Sequence, residues 1–308
     1  MPRLGDKYIA GFLDADGSIY VQVSATGKPQ VRIDFSQMAD QDEVIHRIHG
    51  ELDVGSIYDR ATRFGTRYLS LSIGGSAAIG LLNRIGQHLV IKRHFAEVVV
   101  DLAARRVGRE EIPTVMAYLK QHRMMRSAPL PVHPSRGWTA GYLDGDGCFS
   151  VSRLTEFGRA NLVLHVAGDY RKTEGIELLC KAHGGNLYDM AQGRCKQWVL
   201  HLDPSKIKAW FPDLAKRMVV KADQVSFLLG CAMMGHLRDG ENIRAGLKYL
   251  KARPHRLNEP KVDISAQLTA VRDLPAKRRS DYGEFVRNEH GRITGKRPKL
   301  QSESASVA

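Results

Sequence analysis

One eight-residue motif occurs twice in this chain, and that repeat limits what the chain can fold into. Residues 10–17 read Ala-Gly-Phe-Leu-Asp-Ala-Asp-Gly and residues 140–147 read Ala-Gly-Tyr-Leu-Asp-Gly-Asp-Gly, so six of the eight positions are identical at an offset of 130. A second match, between residues 55–59 and 185–189, keeps the same offset. A fixed offset indicates two copies of one structural unit. The 308 residues also suit two domains of roughly 150 residues each.

The boundary between the copies is visible in the sequence. We predict a first domain over residues 1–126 and a second over residues 136–252. The linker between them, residues 127–135, contains three prolines, which block a helix and favour an extended connection. Beyond residue 252 the periodicity fades. Residues 253–308 are therefore predicted to be a basic C-terminal extension that is partly disordered.

Hydrophobic periodicity predicts the same order of elements in both copies: helix, two strands, helix, two strands, helices. In the first copy we predict a helix capped by Asp6, and the predicted helices and strands are 6–14, 18–25, 30–36, 41–49, 56–60, 67–73, 75–85 and 93–107. In the second copy they are 136–144, 148–154, 160–167, 172–182, 186–190, 195–202 and 221–235. This order predicts the α+β class with antiparallel sheets.

Charge and composition exclude several classes of protein. The chain has 46 Lys and Arg against 33 Asp and Glu, a formal charge of +13, which favours an acidic partner, most commonly nucleic acid. No apolar run approaches the roughly 18 residues of a membrane helix, and no signal-peptide pattern opens the chain. The cysteines have no CxxC spacing, so we expect free thiols rather than a zinc site or disulfides: Cys148, Cys180, Cys195 and Cys231.

The repeated motif places carboxylates where a helix disfavours them. Asp14, Asp16, Asp144 and Asp146 lie at the C-terminal ends of predicted helices, where the helix dipole is negative. The small Ala-Gly pairs earlier in each motif would let the two helices approach closely. Asp16 and Asp146 would then lie close together and repel each other. Divalent cations would neutralise such a site, and its hard oxygen ligands suit Mg²⁺.

Two simpler interpretations of the motif are weaker. A single Asp-x-Asp-Gly is most often a turn, but a turn does not explain two copies at equal spacing. An EF-hand loop needs a glutamate at position 12, and counting from Asp14 and Asp144 that position is Ala25 or Thr155.

The two segments resemble the LAGLIDADG motif of homing endonucleases, in the single-chain form with two motifs. The resemblance covers roughly residues 5–236 and implies two pseudo-symmetric αββαββα domains whose motif helices form the interface and whose sheets form a saddle over DNA. It implies that Asp16 and Asp146 bind the catalytic metals, assisted by the backbone carbonyls of Ala15 and Gly145. Asp14 and Asp144 would instead brace the helix ends.

The resemblance also implies further residues of the active site. A lysine late in each domain, at the start of a helix, matches Lys92 and Lys221, which follow Asp16 and Asp146 by 76 and 75 residues; a plain solvated lysine is the alternative. A polar residue at the end of the second strand would position water, and Gln37 fits. Its counterpart falls near Ala167 and Gly168, with Asp169 as the polar candidate, so the resemblance does not imply that the two halves are equally active.

The strand faces opposite the core hold donors and acceptors that can recognise base edges in the major groove. The predicted DNA contacts are Ser18, Tyr20, Gln22, Ser24, Arg32, Asp34, Tyr58, Arg60, Tyr68, Ser70, Ser150, Ser152, Asn161, His165, Gln197 and His201. For each of them a solvent-facing strand residue is the simpler alternative. Because the two faces differ, we expect a long target that is only loosely palindromic.

The sequence therefore predicts a monomeric, metal-dependent DNA endonuclease of the homing type, associated with intron mobility. It would use Mg²⁺, with Mn²⁺ able to substitute, and leave short 3′ overhangs, as the resemblance implies. An intron-splicing maturase that binds RNA and a DNA-binding protein without cleavage are the alternatives. An intein is not expected, because Met1-Pro2 offers no nucleophile and no His-Asn ends the chain. We expect an intracellular protein, bacterial or from a phage, with an organelle or nucleus as further options.

Overall fold

The structure is a computed structural model of the 308-residue chain. It describes residues 3–24, 26, 28–105, 107–127, 130–154, 160–190, 193–237, 240–255, 263–272, 284–287 and 293–297. Residues 128 and 129 of the predicted linker and most of the predicted extension lie outside these ranges.

The first copy contains a four-stranded antiparallel sheet and five helices among the described residues. In chain order its elements are α1 (Asp6–Asp16), β1 (Gly17–Val23), β2 (Pro29–Met38), α2 (Glu43–Leu52), β3 (Ser56–Ala61), β4 (Arg67–Gly74), α3 (Gly75–Ile85), α4 (Arg93–Ala103) and α5 (Ile112–Arg123). The strands are ordered β1-β2-β4-β3.

The second copy repeats this arrangement. Its elements are α6 (Arg136–Asp146), β5 (Gly147–Leu154), β6 (Ala160–Asp169), α7 (Glu174–His183), β7 (Asn186–Met190), β8 (Cys195–His201), α8 (Pro204–Arg217), α9 (Ala222–Met233) and α10 (Gly240–Ala252), followed by α11 (Ser265–Arg272), β9 (Glu284–Arg287) and β10 (Ile293–Arg297). The sheet order β5-β6-β8-β7 matches that of the first copy. The predicted α+β class and the pseudo-symmetric pair are confirmed, whereas the domain boundaries stay a prediction.

Alternation of apolar and polar residues builds each sheet with one face on the core. In β2, Val31, Ile33 and Phe35 are buried, and the residues between them face outward. Both copies of the second repeated segment begin with a glycine, and the backbone conformation explains why. Gly55 and Gly185 have φ values of +95° and +94°, which residues with side chains rarely adopt. Each turns the chain into the third strand of its sheet.

Four of the described α-helices were missing from the sequence prediction. They are α5, α8, α10 and α11, the last of them within the predicted C-terminal extension. Helix α8 starts at Pro204, with the Asp203 side chain accepting from the Lys206 amide, and it continues through Pro212. Proline at a first helical position is favourable, but an internal proline normally ends a helix. Burial of Ile207 and Phe211 in the core stabilises it here.

Two smaller predictions also need correction. Asp6 does not cap the first helix, because Gly5 is the N-cap residue and Asp6 is already helical. The Asp6 carboxylate accepts instead from Arg84 Nε at 2.8 Å. The helix predicted over residues 93–107 ends at Ala103.

The segment that follows the last long helix of each copy makes hydrogen bonds to the other copy. After α5, the Ser127 amide donates to Glu174 Oε1 at 3.0 Å, across to the second copy. After α10, the His255 amide donates to the Asp40 carbonyl at 2.6 Å, and the Glu43 amide donates to the His255 carbonyl at 3.0 Å, back in the first copy. The core is continuous across both copies. Within the described residues, every helix is too short or too polar to cross a membrane.

Candidate active site

The motif helices α1 and α6 contact each other backbone to backbone. A Cβ atom at Gly11 would lie 2.8 Å from the carbonyl carbon of Trp138 and closer still to its oxygen. A Cβ at Gly141 would lie 2.8 Å from the Phe12 nitrogen and closer still to the Tyr8 oxygen. Only glycine fits at these two crossing points, which confirms the close approach expected from the small residues of the motif.

Asp16 and Asp146 are the last residues of the two motif helices and come together where those helices end. Burial raises the pKa of Asp16, against the opposing effect of Lys221 and Lys92. Burial and then the charge of Asp16 raise the pKa of Asp146 to about 6. The pair therefore has the mutual repulsion that the sequence predicted, because each carboxylate is charged only at a cost.

Gln37 lies beside one of these carboxylates, and no described residue of the second copy makes the equivalent hydrogen bond to the other. Its Nε2 donates to Asp16 Oδ2 at 3.1 Å, and its Oε1 accepts from the Met38 amide at 2.8 Å. Asp169, the polar candidate of the second copy, accepts instead from Arg171 Nε and Nη2 at 3.0 and 2.8 Å. This pairing lowers the pKa of Asp169 to about 2 and engages its carboxylate, so Asp169 is not a counterpart of Gln37.

Asp14 joins three elements and is almost fully buried. Its Oδ2 accepts from the Val90 amide at 2.7 Å and from Trp138 Nε1 at 2.8 Å, and its Oδ1 accepts from the Lys92 amide at 2.8 Å. Two of these donors precede α4, and the third belongs to the other copy. Asp14 is thus a brace of the helix end, as the resemblance implied.

Asp144 makes the equivalent contacts in the second copy. Its Oδ2 accepts from the Val219 amide at 2.6 Å and from the Tyr8 hydroxyl at 2.6 Å, and its Oδ1 accepts from the Lys221 amide at 2.8 Å. Burial raises the pKa of Asp144, and these donors oppose that effect. Full burial of a carboxylate is tolerated here because three donors satisfy it.

Lys92 and Lys221 point back onto the ends of the motif helices. Lys92 Nζ donates to the carbonyls of Leu13 and Asp14 at 2.7 and 2.5 Å. Lys221 Nζ donates to the carbonyls of Leu143 and Asp144, and to Gly145 at 2.9 Å. Each ammonium therefore donates to carbonyls at the negative end of a helix, among them the Leu13 or Leu143 carbonyl that also accepts from the amide of Gly17 or Gly147. Burial lowers the pKa of both lysines, to about 8 for Lys92.

The oxygen atoms at this crossing fit a hard divalent cation. Asp16 and Asp146 offer carboxylates, and Ala15 and Gly145 offer backbone carbonyls, the type of donor that Mg²⁺ prefers. Among the described residues, no cluster of three or more His, Cys, Asp or Glu side chains could hold a metal ion. Two carboxylates suffice for Mg²⁺ when water and substrate phosphates complete its shell.

Comparison with solved structures identifies the arrangement. The LAGLIDADG homing endonuclease I-GzeII in complex with its DNA target superposes with a TM-score of 0.61 at 14% identity, over 83% of this chain and 100% of that chain. The fold is that of the LAGLIDADG homing endonucleases.

The meganuclease I-SmaMI shows the same LAGLIDADG fold. Its complex with an uncleavable DNA gives a TM-score of 0.59 at 19% identity, over 84% of this chain and 99% of that one. A second structure of I-SmaMI, bound to an uncleaved DNA target in the presence of calcium ions, gives 0.54 at 17% identity, over 81% and 98%. No family model matches the sequence, and no curated protein matches it.

The predicted DNA contacts of the first copy share the outer face of one sheet. The register pairs Ser18 with Asp34 and Tyr20 with Arg32, so the residues predicted on β1 and β2 lie on one side. The Tyr20 hydroxyl donates to Asp34 Oδ2 at 3.0 Å, while the buried Asp34 Oδ1 has no partner among the described residues. Placed on the same face are Gln22, Tyr58, Arg60 and Tyr68, and Ser24 follows β1.

Ser70 is an exception to the predicted exposure. It lies on this face between Ser36 and Tyr58, which pair with it across the neighbouring strands. These neighbours cover the short side chain and leave it 1% exposed, with the Ser36 hydroxyl 3.3 Å away. The expectation that Ser70 offers a free hydroxyl to a surface ligand is therefore wrong.

The predicted contacts of the second copy are linked to one another. Gln197 Nε2 lies 2.8 Å from His165 Nδ1, and His165 Nε2 lies 3.5 Å from the Ser150 hydroxyl, so this chain of polar groups spans β5, β6 and β8. His201 Nδ1 lies 3.1 Å from Asn161 Oδ1. Ser152, also exposed, donates to the Asn161 carbonyl at 3.1 Å. The outer faces of the two sheets therefore present different donor patterns.

Several residues of the site were not predicted from the sequence. Gln30, Ser36 and Ser56 share the outer face of the first sheet with the predicted contacts; the alternation within each strand could have identified them. Tyr8 and Trp138, which donate to the brace aspartates, were also missed. The sequence signal that could have identified them is the repeat offset of 130, which places Tyr8 and Trp138 at equivalent positions. The four cysteines are free thiols, as predicted.

Proposed function

We propose that this chain is a sequence-specific, double-stranded DNA endonuclease of the homing type that hydrolyses phosphodiester bonds with divalent metal. The observation that supports it most is the crossing of the motif helices. That crossing brings Asp16 and Asp146 together, and each has a lysine at the end of its own helix. Two solved structures of similar fold, both endonucleases bound to DNA, are consistent with this function.

The residues of the crossing have separate tasks in this proposal. Asp16 and Asp146, with the carbonyls of Ala15 and Gly145, would hold the cations. A bound divalent cation would activate water and stabilise the leaving oxygen. Lys92 and Lys221 would stabilise negative charge on the phosphate, and Gln37 would orient water near Asp16 only.

The sheets supply the recognition surface. Base edges in the major groove can be recognised by a β-ribbon, and the two outer faces differ, so we propose a long, asymmetric target. Asp34 lies on the outer face of the first sheet, and a carboxylate there would suit an amino group on a base edge, such as that of cytosine. The net charge of +13 would supply sequence-independent attraction to phosphates.

The finer features of the proposal rest on the resemblance to the LAGLIDADG homing endonucleases and on the two copies in one chain. One monomer would hold both catalytic carboxylates and cut both strands, leaving short 3′ overhangs, with Mg²⁺ as the cation and Mn²⁺ as a substitute. We propose an intracellular role, in bacterial or phage-infected cytoplasm, in the mobility of an intron.

Cleavage selection tests this function. The purified protein would be incubated with a randomised DNA library and Mg²⁺, and the cut ends sequenced, with an EDTA reaction alongside. We expect one long sequence with a constant overhang, dependent on the cation. Specific DNA binding without cutting in Mg²⁺ would contradict the nuclease and favour a DNA-binding regulator. Specific binding of a structured intron RNA, again without DNA cutting, would favour the maturase.

A further inference from the structure

Two buried aromatic residues connect the halves of the site in a reciprocal way. Tyr8 and Trp138 occupy equivalent positions at the offset of 130, each six residues before the first aspartate of its own motif. Each donates not to that aspartate but to the one of the other copy: Tyr8 to Asp144 at 2.6 Å, and Trp138 to Asp14 at 2.8 Å. The donors are 3% and 1% exposed, so water does not replace them.

Each receiving carboxylate is attached to the catalytic apparatus of its own copy. Asp144 accepts from the amide of Lys221, and the ammonium of that lysine returns to the Gly145 carbonyl, one residue before Asp146. Asp14 accepts from the amide of Lys92, whose ammonium returns to the Asp14 carbonyl, two residues before Asp16. The path from each aromatic donor therefore ends at the backbone of the opposite copy, one residue before Asp146 or two residues before Asp16.

We propose that Tyr8 and Trp138 are positioning residues that make the geometry of each half-site depend on the other copy. Tyr8 acts through Asp144 on Asp146 and Lys221, and Trp138 acts through Asp14 on Asp16 and Lys92. The inference rests on the proposed function, and it adds a reciprocal dependence between the two strand cuts. Partners that orient ligands in this way typically alter metal affinity or activity by about 10- to 100-fold.

A role in packing alone makes a different prediction. Removal of a donor from a buried carboxylate lowers stability in either case, because the acceptor loses a partner. Loss of packing at the shared helix interface would affect both half-sites equally, since α1 and α6 bury the same surface. Only directed positioning gives opposite effects for the two substitutions.

Strand-resolved cleavage distinguishes these roles. The duplex recovered by cleavage selection would carry a different fluorophore on each strand, and the rate of each cut would be measured in Mg²⁺. We expect Tyr8→Phe to slow one strand by about 10- to 100-fold and Trp138→Phe to slow the opposite strand. Equal slowing of both strands by each substitution, or no slowing, would overturn the inference.

A matched control is available on the same interface. Tyr142 is buried on α6 and stacks on Trp138, yet no hydrogen bond joins its hydroxyl to Asp14 or Asp144 in the described structure. Its equivalent in the first copy is Phe12, so Tyr142→Phe removes a buried hydroxyl at a position where the fold already accepts phenylalanine. We expect this variant to keep the strand ratio of the unmodified protein.

A double substitution tests the route through the brace. If Tyr8 acts through Asp144, the combination of Tyr8→Phe with Asp144→Asn cuts no more slowly than Asp144→Asn alone. Multiplied effects of the two changes would show that Tyr8 acts elsewhere and would overturn the assigned route. This arm depends on Tyr8→Phe, which removes a single oxygen atom and leaves the ring packed.

Manganese binding separates this inference from the proposed function. In the Asp16→Asn background, Mn²⁺ binding followed by electron paramagnetic resonance reports on Asp146, without any DNA. Tyr8→Phe should weaken it by about tenfold while Trp138→Phe leaves it unchanged, and the Asp146→Asn background should show the reverse. Equal weakening by both would refute the positioning role even in a protein that cuts DNA, whereas the expected pattern without DNA cutting would count against the nuclease only.

Discussion

At the residue scale, the site depends on carboxylates held where their charge is unfavourable. Asp146 has a pKa of about 6 because burial and Asp16 both oppose its ionisation. In the proposed site a cation would displace the proton from this group, so its binding would be linked to pH. The negative charge of Asp16 disfavours ionisation of Asp146 when no cation is present. Once both carboxylates are ionised, their combined negative charge would attract a cation.

This linkage gives a pH dependence for cleavage. At limiting Mg²⁺, we expect the cleavage rate to fall by about tenfold per pH unit below roughly pH 6, as protonation of Asp146 removes a ligand. At saturating Mg²⁺ the fall should shift to lower pH, because the cation competes with the proton. Rates measured against pH at the two concentrations test this, and an identical profile at both would contradict it.

The same shift predicts that the ionised Asp146 carboxylate destabilises the metal-free protein. The folded pKa of about 6 exceeds the ordinary aspartate value of 3.8, so the folded state holds an extra proton between those pH values. The free energy of unfolding therefore falls as pH rises through that window. In EDTA at pH 7.5, Asp146→Asn should raise the Tm by about 2–4 °C, after allowance for screening by the solvent that still reaches this side chain.

At pH 4 the carboxyl is largely protonated in the folded state, and the gain from Asp146→Asn should vanish. Asp59→Asn is the control, because Arg67 lowers the pKa of Asp59 and the sign is reversed. Thermal unfolding in EDTA measures all of these. A lower Tm for Asp146→Asn at pH 7.5 would show that the ionised Asp146 carboxylate does not destabilise the folded protein, contrary to the prediction.

At the scale of elements, the crossing of α1 and α6 depends on the absence of side chains at two positions. Gly11→Ala would place a methyl group against the Trp138 backbone, and we expect it to lower the free energy of unfolding by about 3 kcal/mol or more. Gly80→Ala in the exposed middle of α3 meets no atom within 4 Å and should instead raise it by about 0.5–1 kcal/mol. Denaturant unfolding compares them; equal effects would contradict the close contact.

The helices and strands also show how much of the fold could be predicted from the sequence. Strands such as β3 and β7 were predicted to within one residue because their alternation and turn glycines are local signals. Helix α8 was missed because Pro212 suppresses a helix locally, and its stabilisation comes from distant core residues. The positions of Asp14 and Asp144 followed from a known motif. The donors Tyr8 and Trp138 did not, since their partners lie 136 and 124 residues away in sequence.

At the scale of the whole molecule, two copies with one backbone plan present different outer faces over a shared core. Positive charge would attract any DNA, while the different polar patterns would select a sequence. Neutralisation of about 6–10 phosphates would lower affinity by about 10³- to 10⁵-fold between about 50 and 200 mM salt. Binding measured in Ca²⁺ across that range tests this, and an affinity insensitive to salt would contradict it.

The contribution of a single arginine side chain to this salt dependence can also be measured. Arg32→Gln, on the outer face of the first sheet, should lower the dependence of log affinity on log salt by about one unit if it contacts a phosphate. Arg84→Gln is the matched control, since Arg84 bonds to Asp6 at the far end of α1 from the site. An equal change in both variants would show that total charge matters and that the face does not.

The central claim is that the crossing of the motif helices is the cleavage site, and one measurement tests it directly. Cutting of the selected target by the unmodified protein would be compared with Asp16→Asn and Asp146→Asn, with DNA binding measured in Ca²⁺ as the check on folding. We expect each substitution to slow double-strand cutting by at least about 10³-fold while specific binding persists. Undiminished cutting by the variant with both substitutions would contradict the account.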